Sequence, residues 1–524
     1  MDFLLHHMLR ASAKRFPKKE ALVHSDIRLT YEEVATRVGG LAVGLQQAGL
    51  ERGQRVGIYL DPSVSQVVSI FGVIQAGGAF VTINHTLFPE QVAHIANDCE
   101  MTALITTSQK LATLAAVLGR ISSVKFVVLD EMASPPETNV PIHSFQKLTS
   151  LVPGHNWKEH AISKDLAAIL YTSGSTGRPK GVMLSHAQIM AGATIVSTYL
   201  GITEAERILA VLPFSFDAGM NQLMTAFQQG GTLVLCNFVF AKEIVRLLEK
   251  EHITGLAGVP TLWSLLAQPN SGLHKVSLRS LRYITNTGGA MPQPVLATLR
   301  KTLPSTQVFL MYGLTEAFRS TYLPPEELDR RPTSMGKAIP DTEIIVVNDQ
   351  GEPCKPNEVG ELVHRGPTVS MGYWGQPEVT AKVLKPHPFL PKELGSDERV
   401  CYSGDMVKMD EEGFLYFVGR RDTMIKSSGF RISPTEVEEA IFSCGLLKGV
   451  AVIGIPDAIL GQTIKAFIVL RDGEHVTEEG TIGHCATRLP RYMVPKTVEI
   501  VHDLPKTSSG KVDYPALRRK EGLS

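Results

Sequence analysis

From Tyr31 onward, short apolar runs alternate with longer stretches whose apolar positions recur at helical spacing. Residues 55–60 (RVGIYL) predict a strand and 65–75 (SQVVSIFGVIQ) a buried helix, and 80–83, 103–107 and 126–129 predict further strands. A second block repeats the alternation, with strands expected at 232–235, 255–259, 283–287 and 308–311 and helical stretches between them. This is the pattern of parallel sheets joined by crossover helices, so the expected class is α/β with two sheets.

Beyond Gly336 the texture changes. EIIVV, NDQGEP and ELVHRG read as short strands joined by turns, an antiparallel β unit. At 418–425, in the latter part of FLYFVGRRDTMI (414–425), the chain leaves a hairpin through a run of charge, which suggests a boundary. Residues 1–420 are expected to form a large N-terminal domain of two α/β sheets plus the small β unit. Residues 421–524 are expected to form a small α+β domain, with helices at 435–442 and near 481–488 and strands at 450–455, 464–470 and 498–501.

Composition narrows the class without naming it. The chain has 524 residues, 44% hydrophobic and 20% charged, with 52 Lys+Arg against 52 Asp+Glu. Such a balance argues against nucleic acid or an anionic membrane as partner. The six cysteines lie far apart with no C-x-x-C pair, which fits reduced thiols in a cytoplasmic protein. The hydrophobic patch at the start is too short and interrupted for a signal peptide or membrane span, and reads as an amphipathic helix.

The densest chemistry lies in YTSGSTGRPKG, residues 171–181. Thr172, Ser173, Gly174, Ser175, Thr176 and Gly177 precede Arg178 and Lys180, behind the apolar run 166–170 and ahead of VMLSHAQIM, a helix-compatible segment. Glycines let backbone N–H groups approach an anion, hydroxyls donate to it and lysine neutralises it, so the stretch reads as a phosphate cradle. It is not G-x-x-x-x-G-K-[ST], and no G-x-G pair begins a dinucleotide fingerprint.

Together with NTGGAM, MYGLTE, YSGD, VGRRD, MIKSSGFRISP and LPKTSSGK, in that order, this loop resembles the adenylate-forming superfamily. That superfamily holds acyl-CoA synthetases, adenylation domains of non-ribosomal peptide synthetases and firefly luciferase. Within it the chain looks most like the acyl-CoA ligases associated with exosortase gene clusters. The resemblance implies that a carboxylate attacks ATP to give acyl-AMP and pyrophosphate, after which a thiol takes the acyl group and AMP leaves. A carboxylic acid of pKa about 4 is already ionised at pH 7 and needs no general base. Positioning and charge stabilisation at the α-phosphate remain, consistent with the absence of G-x-S-x-G and H-E-x-x-H.

The resemblance also implies roles, residue by residue. Residues 172–180 would hold the β- and γ-phosphates of ATP, chiefly through Ser173, Ser175, Thr176 and Lys180. Gly288, Gly289 and Ala290 would lie along the adenine and Tyr312 would stack on it. Thr315 would bind the α-phosphate and Glu316 would hold Mg²⁺. Asp405 would grip the ribose hydroxyls, with Arg420 as a second ribose and phosphate contact. Lys511 would reach the α-phosphate and the substrate carboxylate during adenylation. Lys426 and Gly429 belong to a loop used in the thioester step, and Asp422 falls at the hinge about which the small domain turns between the two steps.

The acid itself is less legible. Asp217 falls where amino-acid-activating relatives pair with the substrate amino group; alternatively it caps a helix beginning at Ala218. The pocket would include Asn221, Ala257, Thr285, Thr287, Met311, Arg319 and Ser320, too polar for a long-chain fatty acid. Arg319 either binds a second carboxylate on the substrate or points outward to Glu326 or Glu327. A small polar acid is expected, an amino acid or a dicarboxylate. No carrier segment follows Lys511 in this sequence, so the expected acceptor is coenzyme A or the phosphopantetheine of a separate carrier protein. Among other classes, a luciferase-like oxygenase shares the fold. A hydrolase would need an activated water that no residue here can be assigned, and a scaffold would not be expected to keep Glu316, Asp405, Arg420, Lys426 and Lys511 together.

Overall fold

The apolar runs become two large sheets. One has eight strands among the described residues, in the order Gly372–Tyr373, Pro179–Ser185, Leu166–Ser173, Ala79–Thr82, Arg55–Tyr59, Ala103–Thr106, Phe126–Leu129, Ile142–Ser144. The other has nine: Lys337–Ala338, Thr321–Leu323, Gln307–Tyr312, Tyr283–Asn286, Gly255–Gly258, Arg207–Ala210, Thr232–Leu235, Glu20–His24, Ile27–Thr30. The computed structural model describes residues 3–131, 138–152, 159, 161–173, 179–395, 398–421, 423–427, 430–457, 460–507 and 510–523.

Crossover helices make most interior pairs parallel, as the alternation predicts, but short connections make several pairs toward the edges antiparallel. One of these edges corrects the sequence reading. Residues 182–185 are not the start of a helix; they finish the strand Pro179–Ser185, which pairs antiparallel with Leu166–Ser173. The helix His186–Leu200 starts only after Ser185, whose hydroxyl accepts from Gln188 N–H while the Gln188 side chain accepts from Ser185 N–H. That reciprocal cap sets the boundary.

Helices from the two sheets share one core. The helices Val64–Gln75 and Asp217–Gln229 meet where Phe71 stacks on Phe227 with ring centres 5.3 Å apart, and Tyr31 packs edge-on to Phe227 at 5.6 Å. All three rings are fully buried, each phenylalanine contributing about 1.5–3 kcal/mol relative to an exposed one. The two sheets therefore hold each other in register, and the edge between them is a fixed platform.

A third sheet of Glu343–Val347, Val359–Arg365, Arg399–Met409, Leu384–Pro386 and Leu415–Arg420 matches the expected β unit. A fourth contains Phe430–Ile432, Ile425–Ser427, Gly461–Leu470, Leu447–Asp457 and Thr497–Ile500, over a separate core that includes Val437, Ile441, Val452, Ile468 and Val498. In this last region Glu438 Oε1 accepts from the Tyr514 hydroxyl at 2.7 Å and from Val452 N–H at 2.8 Å. Burial pushes the Glu438 carboxyl up to about 7, and the bond ties the helix Pro434–Phe442 to the helix Tyr514–Lys520. Among the described residues no helix is long and apolar enough to cross a membrane.

Candidate active site

The strands Gly255–Gly258, Tyr283–Asn286 and Gln307–Tyr312 are parallel and in step, with Gly258 opposite Asn286 and Asn286 opposite Leu310. Their following loops thus emerge at one edge, where open α/β sheets bind ligands. The first of these loops to matter carries Gly288, Gly289 and Ala290. Gly288 has φ 79°, a conformation that favours glycine, and Asn286 Nδ2 donates to Gly289 O at 2.8 Å.

The next loop starts at Tyr312, whose hydroxyl donates to Asp405 Oδ2. Asp405 lies in the strand Arg399–Met409, directly opposite Arg420 of Leu415–Arg420, and Arg420 Nε approaches Asp405 Oδ1 to 3.3 Å. Burial, reinforced by the Asp405 charge, raises the Tyr312 phenol well above its ordinary value, so it stays a proton donor. Thr315 and Glu316 follow, both half-buried. Glu316 Oε1 accepts from the Tyr373 hydroxyl at 2.6 Å, and burial followed by the Glu316 charge keeps that phenol protonated. Sequence reasoning missed Tyr373; the available signal was a tyrosine set between Gly372 and Gly375, and the structure gives both glycines positive φ.

Lys511 comes from the far end of the chain into this cleft. A Cβ on Gly288 would stand 3.0 Å from Lys511 Cε and 3.5 Å from Nζ, and Nζ lies 5.6 Å from the centre of the Phe216 ring. The cleft is open, so the residue keeps solvent contact, yet enough protein surrounds the amine that desolvation lowers its pKa below the ordinary 10.5. Asp217, Asp405 and Glu316 oppose that shift, and Arg420 adds to it. Asp217 is itself the first residue of the helix Asp217–Gln229, one position earlier than expected, and its Oδ1 accepts from Ala218 N–H at 2.6 Å.

Other expected residues are placed only in part. Thr172 pairs across the hairpin with Lys180, so the two described ends of the phosphate loop face each other. Gly181 makes this approach possible, since a Cβ there would meet Ile169 Cγ2 at 2.6 Å. Gly174, Ser175, Thr176 and Gly177 lie outside the described residues, as do Asp422, Gly429 and the side chains of Ser173 and Lys426. Lys426 itself is in the strand Ile425–Ser427 of the fourth sheet.

Behind the cleft is a cavity of about 30 Å³, space for a few waters. Asn221, Ala257, Thr285, Thr287, Met311 and Arg319 line it, joined by Gln222 and Thr225 and by the apolar Val196, Leu200, Ile202 and Ile208. Asp217 is not in that lining. Neither is Ser320, contrary to expectation: its Oγ hydrogen-bonds His364 Nδ1 at 3.0 Å, and burial holds that imidazole neutral by lowering its pKa to about 3. The structure therefore brings Gly288, Tyr312, Glu316, Asp405, Arg420 and Lys511 together, and sets beside them a small, largely apolar cavity that holds the polar groups of Asn221, Gln222 and Arg319.

The sequence matches the AMP-binding enzyme family over residues 9–374 and the AMP-binding enzyme C-terminal domain over 436–511. The chain belongs to the AMP-binding enzymes. Feruloyl-CoA synthase of an Amycolatopsis species is 32% identical over 97% of this chain and 97% of its own. Long-chain-fatty-acid–CoA ligase of Bacillus subtilis is 31% identical over 98% of this chain and 93% of its own. The anthranilate CoA ligase AuaEII, solved with anthranoyl-AMP, superposes with a TM-score of 0.88 at 24% identity, covering 100% of this chain and 97% of that one, a likeness of fold. Nothing in these likenesses separates the exosortase-associated subgroup from other AMP-binding enzymes.

Proposed function

We propose that this AMP-binding enzyme joins a small carboxylic acid to a thiol in two steps, acyl-AMP formation with release of pyrophosphate and then transfer to coenzyme A. The observation that carries the reading is Lys511 beside Gly288, amid Asp217, Asp405, Glu316 and Arg420. A cation in that position meets negative charge growing on the α-phosphate and draws the substrate carboxylate to it. Asp405 and Arg420 hold the ribose, Tyr312 and Gly288 to Ala290 wall the base, and Thr172 to Lys180 hold the leaving pyrophosphate.

Glu316 fits a magnesium ion, which takes one or two carboxylates and otherwise phosphates and water. Tyr373 fixes the side chain through Oε1, and the second oxygen remains for the ion. When bound, the ion would neutralise phosphate charge. For the second step, residues 421–524 rotate about Asp422 to withdraw Lys511 and bring the Lys426 loop forward. The six cysteines are all free, in keeping with a cytoplasmic setting.

The small volume of the cavity, and the unpartnered polar groups of Arg319, Asn221 and Gln222 set in an otherwise largely apolar lining, favour a short polar acid over a long acyl chain. A second reading, an amino-acid-adenylating enzyme that loads a separate carrier protein, is favoured by Asp217, a buried carboxylate near Lys511 able to take a substrate ammonium. Acid-dependent ATP–pyrophosphate exchange over a panel of acids, lost on chelation of magnesium, tests the first step. Supplying preformed acyl-AMP with coenzyme A or with a phosphopantetheinylated carrier decides the acceptor. ATP cleavage to ADP and phosphate, or no exchange with any acid, would overturn the proposal.

A further inference from the structure

Arg319 is 5% exposed, and among the described residues its side chain has no ion pair and no hydrogen bond; its Nε is buried without a partner. The outward alternative fails on geometry. Glu327 is engaged by Arg331 at 2.5 Å and Arg330 at 3.5 Å, and Glu326 is exposed while Arg319 faces the cavity. A guanidinium cannot shed its proton to escape burial, so its charge stays in place at a large desolvation cost. The neighbouring Phe318 ring, 5.8 Å from the guanidinium carbon, returns only part of that.

The backbone is strained to hold it there. Phe318, fully buried, has φ 52°, a left-handed conformation rarely adopted by an aromatic residue. Its ring fits only because Gly192 has no side chain; a Cβ there would meet Phe318 Cδ1 at 2.3 Å and Asn221 Nδ2 at 3.6 Å. Asn221 Nδ2 and Gln222 Oε1 are also buried without partners, and both residues line the same cavity. Two donor groups and one acceptor thus await a ligand in one small space.

We infer that Arg319, with Asn221, binds a carboxylate on the tail of the substrate, so that the acid activated here is a short dicarboxylic acid with one end at Lys511 and the other at Arg319. This rests on the acid-activating reading of the site. A carboxylate matches the planar fork of arginine, and a cavity of about 30 Å³ has no room for a long acyl tail. Gln222 Oε1 offers an acceptor to a hydroxyl or N–H on that tail, where the substrate has one.

The test is pyrophosphate exchange with dicarboxylic acids of three to six carbons, their monoamides, matched monocarboxylic acids and tail sulfonates, using the wild type, Arg319→Met and Arg319→Lys. In the wild type the best dicarboxylate should exceed its monoamide by at least about 100-fold in kcat/KM, mostly through KM. Arg319→Met should collapse that ratio to within about tenfold, and Arg319→Lys should restore part of it. Without ligand, Arg319→Met should melt above the wild type, because an unpaired buried cation has been removed. Wild-type preference for monoacids or monoamides, or a ratio unchanged in Arg319→Met, overturns the inference while leaving acid activation intact. Preference for a sulfonate tail overturns the carboxylate assignment. No exchange with any acid overturns acid activation and this inference together.

Discussion

Replacing Lys511 by alanine should separate the two half-reactions proposed above. Its Nζ lies 3.5 Å from where a Gly288 Cβ would stand, with Asp217, Asp405, Glu316 and Arg420 as its charged surroundings. A preorganised donor at developing charge is worth about 10²–10³-fold in rate, or about 2.7–4 kcal/mol. The cleft around Lys511 admits solvent, which weakens the field, so a loss near 10²-fold is expected. Single-turnover formation of acyl-AMP should show that loss, whereas thioester formation from supplied acyl-AMP should be within about threefold of wild type. The pH profile adds a second reading. The folded pKa is lowered, so the charge is complete below it and lost as pH rises through it; wild-type adenylation should therefore decline at a lower pH than an ordinary lysine at 10.5 would give. Lys511→Arg should abolish this limb, because a guanidinium stays charged over that range. Equal losses in both half-reactions would refute the reasoning.

Two further perturbations probe the same machinery. Gly288→Ala places a Cβ 3.0 Å from Lys511 Cε at φ 79°, which should cost about 1–2 kcal/mol of stability and slow adenylation at least tenfold, again sparing the thioester step; melting and single-turnover rates check both. Glu438→Gln keeps both hydrogen bonds made to Oε1 while removing a carboxyl held up at about 7 against an ordinary 4.5. The folded wild type binds the proton more tightly than the unfolded chain, so its stability falls as pH rises from about 4.5 to 7; the variant should gain on the order of 1–3 kcal/mol above pH 7 and nothing below 4.5 in denaturant titrations.

Strands with a clean apolar run were readable: 126–129 and 232–235 coincide with the strands Phe126–Leu129 and Thr232–Leu235. Residues 182–185 were not, because a four-residue run ahead of a strong helix carries no period of its own, and pairing with Leu166–Ser173 decides it. Around the cleft, Lys511 and Asp405 could be named from short motifs, and the structure sets both among the same group of charges. Arg319 could not be resolved between pocket and surface. Its direction depends on the Phe318 backbone and on Gly192, a residue more than a hundred positions earlier on the helix His186–Leu200. Ser320 was assigned to the pocket for the same lack of information, its partner His364 lying in a different sheet.

The bond between Glu438 and Tyr514 bears on timing. It links the helix that follows the Lys426 strand to the helix that follows the Lys511 loop, so both lysines ride on one stiff block. Moving either one displaces the other like the two ends of a seesaw. If that block turns between the two steps as proposed, one chain cannot make an acyl-adenylate and consume one at the same moment, and every turnover is obliged to alternate between them.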